Sequence, residues 1–287
     1  MKTLRLILLI VLCAVAPPGS LFAQQNAQLG VNAALRYWSA FAEMQDSAIS
    51  DQQAKELNAI LDGTAPYDDL KYKDLVAANR SAVETMARGT TIPNCDWGVD
   101  YALGPHAPVE YVRKALTLGR LNVLYAFHLL QNGDKDAAVH ALAVGVLFSH
   151  DVANGGTLFA TLVAKNLLVT HLRGMEFALH VEQLSASQKS VLQKALSQLG
   201  PDALDWQAAV KHEFEVPVSG LDTKASAALA QIASAYESMF NDPSALSRLQ
   251  RMIASAPQTL SIPNPQRVLA EKQDLVDRLS QVRSLLQ

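Results

Sequence analysis

The sequence predicts an all-α fold, and three observations carry that prediction. Apolar residues recur at steps of three and four along most of the chain. No stretch alternates apolar and polar residues with β-branched side chains over the length of a strand. The breaks between apolar stretches hold helix-capping signatures, Ser50 with Gln53 and Ser185 with Gln188. The expected architecture is a set of antiparallel helical hairpins, stacked as a repeat-like array or as an irregular bundle.

The chain opens with the pattern of an export signal. Lys2 and Arg5 are basic, Leu4 to Ala16 is apolar apart from Arg5, and Pro17-Pro18-Gly19 ends the run. Ala23 offers a small residue for cleavage, so residues 1–23 read as a signal peptide and the expected location is periplasmic or secreted. The apolar run is shorter than the ~20 residues that a bilayer span needs. Leu12 stands where lipid attachment at Cys13 would want a small residue.

From Val31 to Ile49 a helical stripe carries Leu35, Trp38, Phe41, Ala42 and Met44, with Trp38 and Phe41 expected as core anchors. Ser50 opens a short helix to Leu61, which Asp62-Gly63 stops. The next helix runs from Asp68 to Ala87, with Leu70, Leu75, Val76, Val83 and Met86 as its inner face. Residues 89–107 form one long irregular segment. Pro108 to His180 reads as three long apolar helices joined by Asn132-Gly133-Asp134 and Asn154-Gly155-Gly156. Such short connections make the helices antiparallel neighbours. Gly133 suits a left-handed helix end, while Asp134 and Thr157 suit helix starts. No later stretch reads as apolar enough to span a membrane.

Ser185 leads a helix to Leu199, ended by Gly200-Pro201. A helix over Ala203–Phe214 turns Leu204, Ala208 and Val210 inward. Val216 to Gly220 is a break. Ala225 to Phe240 carries a narrow stripe of Leu229, Ile232, Tyr236 and Phe240. Pro243–Ala254 is short, and Ala256 to Pro265 is a linker. Residues 24–265 are expected as one helical domain, with 266–287 as an amphipathic C-terminal helix whose Leu275, Leu279, Val282 and Leu286 dock on the body.

Gly133-Asp134-Lys135-Asp136-Ala137-Ala138 resembles the inter-helix turn of a tetratricopeptide (TPR) repeat, and Gly145 sits where that repeat takes a second small residue. The repeat's Trp, its first-helix Gly and its closing Pro are absent at the matching positions. The resemblance covers about one unit and implies a TPR-like helical hairpin. Cys95-Asp96-Trp97-Gly98, followed by a Leu/Ala/Arg-rich helix, is similar to uncharacterised exported bacterial helical proteins. That resemblance implies no particular activity.

Composition narrows the function. The chain is 49% hydrophobic with a net charge of −3, and loss of residues 1–23 removes two cations and no carboxylate. A nucleic-acid or anionic-membrane binder would need a basic face. No stable membrane insertion is expected after signal cleavage. Cys95 is the one cysteine outside the signal, so no internal disulfide can form and stability must come from packing.

The segment 89–107 is the loop where function would concentrate, because long irregular loops in compact domains are uncommon. The structural reading set against it has Trp97 and Tyr101 plugging the end of the helical stack and Cys95 packed as a small hydrophobe. Cys95, Asp100 and His106 bring together a thiol, a carboxylate and a base, the ingredients of a nucleophilic site. Asp96, Trp97 and Tyr101 are the candidate ligand contacts. His140, His150 and His171 lack metal-ligand spacing: His140 and His150 sit about 80° apart around a helix, and no Glu-x-x-His pair occurs. No Gly-x-Ser-x-Gly elbow occurs. Asn154-Gly155-Gly156-Thr157 is the nearest approach to a phosphate cradle. No metal or cofactor is expected. The leading expectation is a non-catalytic exported protein that binds a peptide or protein in a groove between hairpins. The alternative is a hydrolase or thiol enzyme built on the Cys95/His106 loop.

Overall fold

A computed structural model of the chain describes residues 32–45, 49–106, 108–214, 223–242, 244–256 and 262–287. The signal segment 1–23 and the expected break at 216–220 lie outside the described residues. Eleven α-helices occur among those described: α1 Ala33–Glu43, α2 Asp51–Leu61, α3 Asp69–Gly89, α4 Glu110–Gln131, α5 Lys135–Ala153, α6 Leu158–Val181, α7 Ala186–Ser197, α8 Trp206–Phe214, α9 Thr223–Met239, α10 Ala245–Ala254 and α11 Pro265–Leu285. A 3-10 turn, Tyr101–His106, interrupts the segment before α4. The fold is all-α. One isolated bridge between Asn32 and Asn94 is the only β pairing among the described residues.

The helix starts are written locally. Ser50 and Ser185 each complete a reciprocal capping box with Gln53 and Gln188. Asp134 accepts the Ala137 N–H at 3.1 Å, and Thr157 accepts that of Ala160 at 3.4 Å. Gly133 turns the chain out of α4 at φ 82°, a conformation that costs glycine little.

Helices α4, α5 and α6 form the centre. Two short turns make α5 antiparallel to both neighbours, so α4 and α6 run side by side in the same direction. Glycines let the three approach closely. A Cβ on Gly119 would run into Leu167, one on Gly145 into the His171 ring, and one on Gly174 into Leu142. By length and composition α5 is apolar enough to cross a membrane, contrary to the sequence expectation. It is enclosed by α4, α6 and α7, so its apolar circumference is spent on packing.

α1 packs on α3 by a face that keeps the expected anchor Phe41 but not Leu35 or Trp38. Ala33, Ala34, Tyr37, Ala40 and Phe41 are buried, whereas Leu35 is 43% and Trp38 39% exposed. Three alanines on the buried side let the two helices come close, which turns the bulkier Leu35 and Trp38 outward. Trp38 instead lies edge-on to Phe41 and Trp97. Leu70, expected inside, is 76% exposed on the first turn of α3. In α8, Trp206 and Ala209 point inward and Ala208 is only half-buried.

The last helix docks on α6 and α7. Val268, Leu275, Leu279 and Val282 are buried. Lys165 of α6 donates to Glu271 at 2.9 Å and also to Asp274. Arg278 grips Glu176 with two bonds of 2.8 and 3.1 Å, and Arg283 donates to the last carbonyls of α7. Burial pulls the Lys165 ammonium down, but its two carboxylate partners more than restore it, so it stays charged.

Candidate functional site

Residues 89–106 close over the end of α5. A helix leaves its last four carbonyls without internal partners, and here side chains from outside the helix supply donors. Trp97 Nε1–H donates to the Asp151 carbonyl at 2.8 Å, and the Cys95 thiol reaches the same oxygen at 3.6 Å. Tyr111 donates to Val152 O at 3.4 Å, and Tyr101 to Gly155 O. Asn154 donates back to Cys95 O at 2.9 Å. The Asp151 carboxylate accepts the Tyr37 hydroxyl. Trp97 stacks on Tyr111 with ring centroids 4.1 Å apart, and Tyr37 and Phe41 complete the aromatic cluster.

This surrounding is poor for thiol chemistry. Burial, reinforced by the nearby Asp151 and Asp96 charges, pushes the Cys95 thiol up and keeps it protonated. Burial does the same to Tyr37, with Asp151 adding to it. Asp96 and Asp100 are exposed, and each accepts a backbone N–H two residues on, from Gly98 and Ala102. They shape turns. Neither carboxylate bonds Cys95. His106 ends the 3-10 turn, and its side chain lies outside what is described. Of the residues predicted for this loop, Cys95, Trp97 and Tyr101 converge, but on backbone carbonyls of α5 and its turn.

Beside that turn is a cleft of about 170 Å³ lined by His150, Asn154, Gly155, Asp205 and His212, among others. The His212 ring stacks on Tyr101 at 3.9 Å. The start of α6, the nearest approach to a phosphate cradle in the sequence, is a tight interhelical turn filled from within: Glu213 of α8 accepts the Leu158 N–H at 3.1 Å. Burial raises the Glu213 carboxyl, and the amides of Leu158 and Phe159 hold it back. Among the described residues no group of three His, Cys, Asp or Glu side chains converges as a metal site. His171 is fully buried between α4 and α5, while His150 is part-exposed and His140 exposed.

The second feature is a groove that sequence reasoning did not single out. The N-terminal turns of α4 and α6 leave an apolar trough of about 570 Å³ lined by Val109, Val112, Leu116, Phe159 and Val163, with Glu110 and Arg113 at its rim. Phe159 is 57% exposed. Farther along the same two helices, α2 lies across both, and Arg173 of α6 donates to Asp62 and to Asn58 O. The trough is therefore covered along one half and open along the other. Phe159 stood in the sequence among many apolar residues of α6. A helix apolar on most sides gives no sign of which side stays open.

No protein-family model matches this chain, and no curated protein and no solved structure matches it.

Proposed function

We propose that this chain is an exported, non-catalytic helical scaffold that holds a segment of a partner peptide or protein in the open half of the α4–α6 groove. The observation that carries the reading is Phe159, a large aromatic left in water within an apolar trough. Exposed apolar patches bounded by polar residues mark interaction sites. Binding of an apolar side chain against such a ring is worth about 1.5–3 kcal/mol. The Cys95/His106 alternative has less support, since the thiol is buried, protonated and hydrogen-bonded to a carbonyl. Export is read from residues 1–23, and the TPR-like character from the α4–α5 turn.

Photo-crosslinking in the exporting cell tests the reading. A benzophenone side chain at position 159 should give a discrete adduct, and Leu116→Gln should remove it. The same probe at Arg80, exposed on α3, should give none. Equal labelling at positions 159 and 80 sinks the proposal. A purified envelope protein whose mass begins at Met1 sinks the export reading.

A further inference from the structure

The α9–α10 hairpin carries a groove of its own, and the charges on its walls have one sign. Two cavities of about 380 and 350 Å³ share Gln231, Arg248 and Met252, so they form one groove along the seam of the two helices. Its α9 wall is uncharged, with Ala228, Gln231, Ser234 and Ser238 spread over about 15 Å of helix. Its α10 wall presents Arg248, Met252 and, toward one end, Arg251. Both arginines are exposed, and neither guanidinium has an ion-pair partner among the described residues. α10 holds no acid. Glu237, the one acid of α9, points about 100° away from Ser238 round the helix and does not line the groove. Asp242 is held at the start of α10, where it accepts the Ser244 N–H at 3.0 Å and the Ser244 hydroxyl at 2.6 Å. The lining is therefore cationic, and it shares no residue with the α4–α6 trough.

These walls select an occupant. Where this chain packs helix on helix, cations of one meet carboxylates of the other: Arg278 takes Glu176, and Lys165 takes Glu271. Alanine and serine along α9 let another helix come close, since interaxial distance follows side-chain size. Arg248 and Arg251 stand three residues apart, so carboxylates three or four residues apart on one face of an incoming helix meet both. We propose that the α9–α10 groove seats an acidic helix of a partner protein, laid along α9 with its carboxylates against Arg248 and Arg251. Met252 is the one large apolar side chain of the lining that is not fully buried, which leaves little to insert into a bilayer. A nucleic acid would need a broader basic face. The charges set orientation and reject the wrong partner.

The test uses the purified chain and two labelled synthetic peptides. Both are alanine-rich helices, one with glutamates three and four residues apart along one face and one with lysines in their place. Fluorescence anisotropy gives the affinities. The acidic peptide should bind and the lysine peptide should not. Arg248→Glu combined with Arg251→Glu should weaken the acidic peptide by about tenfold or more and let the lysine peptide bind. Ser234→Phe fills the groove without changing its charge and should weaken the acidic peptide by about tenfold. Arg36→Glu, at an exposed arginine of α1, and Phe159→Gln should leave it unchanged. All these positions are exposed, and unchanged circular dichroism verifies that the variants fold. Absence of binding by the acidic peptide overturns the proposal. So does an equal loss from Arg36→Glu, which would make the attraction general to the surface. A proline-interrupted acidic peptide that binds as tightly replaces the helix by an extended segment, and anionic vesicles held through Arg248 and Arg251 replace it by a membrane; either result overturns it as well. Loss of binding in Phe159→Gln would move the peptide to the α4–α6 groove and do the same. If position 159 gives no adduct while the acidic peptide still needs Arg248, the α4–α6 reading fails and this one stands.

Discussion

His171 sits between α4 and α5 with no access to water, and its bonds fix its state. Nδ1–H donates to Leu167 O at 3.0 Å, while Nε2 accepts from Asn122 Nδ2 at 3.3 Å. The Ser149 hydroxyl, beside Nδ1, donates to Gly145 O at 2.7 Å. Protonating Nε2 would set two donors face to face, and burial already lowers the imidazole to about 4 from its ordinary 6.5. The unfolded chain therefore takes up a proton below pH 6.5 that the folded chain refuses until about 4. Stability should fall by roughly 3 kcal/mol as pH drops through that window. Glu213, raised by burial, works in the opposite sense, so the comparison is between the natural chain and His171→Gln. Urea midpoints across the window should run flatter in the variant, and parallel profiles would contradict the assignment. Trp97 offers a second residue test. Trp97→Phe keeps the stack on Tyr111 but loses the bond to Asp151 O, costing about 1 kcal/mol. Trp97→Ala also opens a cavity and should cost about 3–5 kcal/mol in denaturant unfolding. Equal losses in the two variants would mean that the stack contributes nothing.

Among the elements, α11 shows which of its contacts matter. Lys165 and Lys272 are nearly buried in its ion pairs, but their partners Asp274 and Asp202 are more than half exposed, and pairs open to water on one side contribute little each. Its buried leucines should dominate. Leu279→Ala should lower stability by about 2–5 kcal/mol and speed amide hydrogen exchange in α11 ahead of the other helices. Arg267→Ala, on a side chain 79% exposed, should change stability by less than about 0.5 kcal/mol. Undiminished protection of α11 in Leu279→Ala would place its docking energy in the charges. The stripe of α11 was readable in the sequence because its polar residues are many and its apolar ones few. Capping boxes and the Asp134 and Thr157 caps were readable because their bonds join near neighbours. The buried face of α1 was not. Periodicity weighs large side chains, whereas α1 meets α3 through alanines. That Cys95 and Trp97 could pack against a helix end was legible, but the bond they make there was not, since a backbone carbonyl on another helix leaves no mark in composition. The open side of α6 was hidden for a third reason: α5 and α6 are apolar nearly all round, and only the placement of α2 decides where that surface stays bare.

At the scale of the molecule, nearly all the buried apolar residues form one connected cluster that reaches from Ala33 to Leu286. A connected core predicts that the parts unfold together. The tryptophans can test this, because Trp97 lies in the aromatic cluster at the end of α5 and Trp206 starts α8 against Phe240. In Trp38→Phe backgrounds that keep either Trp97 or Trp206, the two fluorescence transitions in urea should share one midpoint with the far-ultraviolet circular dichroism. Reductant should not move that midpoint, since Cys95 is the only cysteine beyond residue 23 and is a free thiol. Two separated midpoints would divide the chain into units that fold independently. The α4–α6 groove would then have to be argued for the unit holding α2, α4 and α6 alone. A single midpoint makes that groove's walls part of the same cooperative structure as α11. Leu279→Ala should then weaken partner capture at position 159 only to the extent that it unfolds the chain, leaving capture by the folded fraction unchanged.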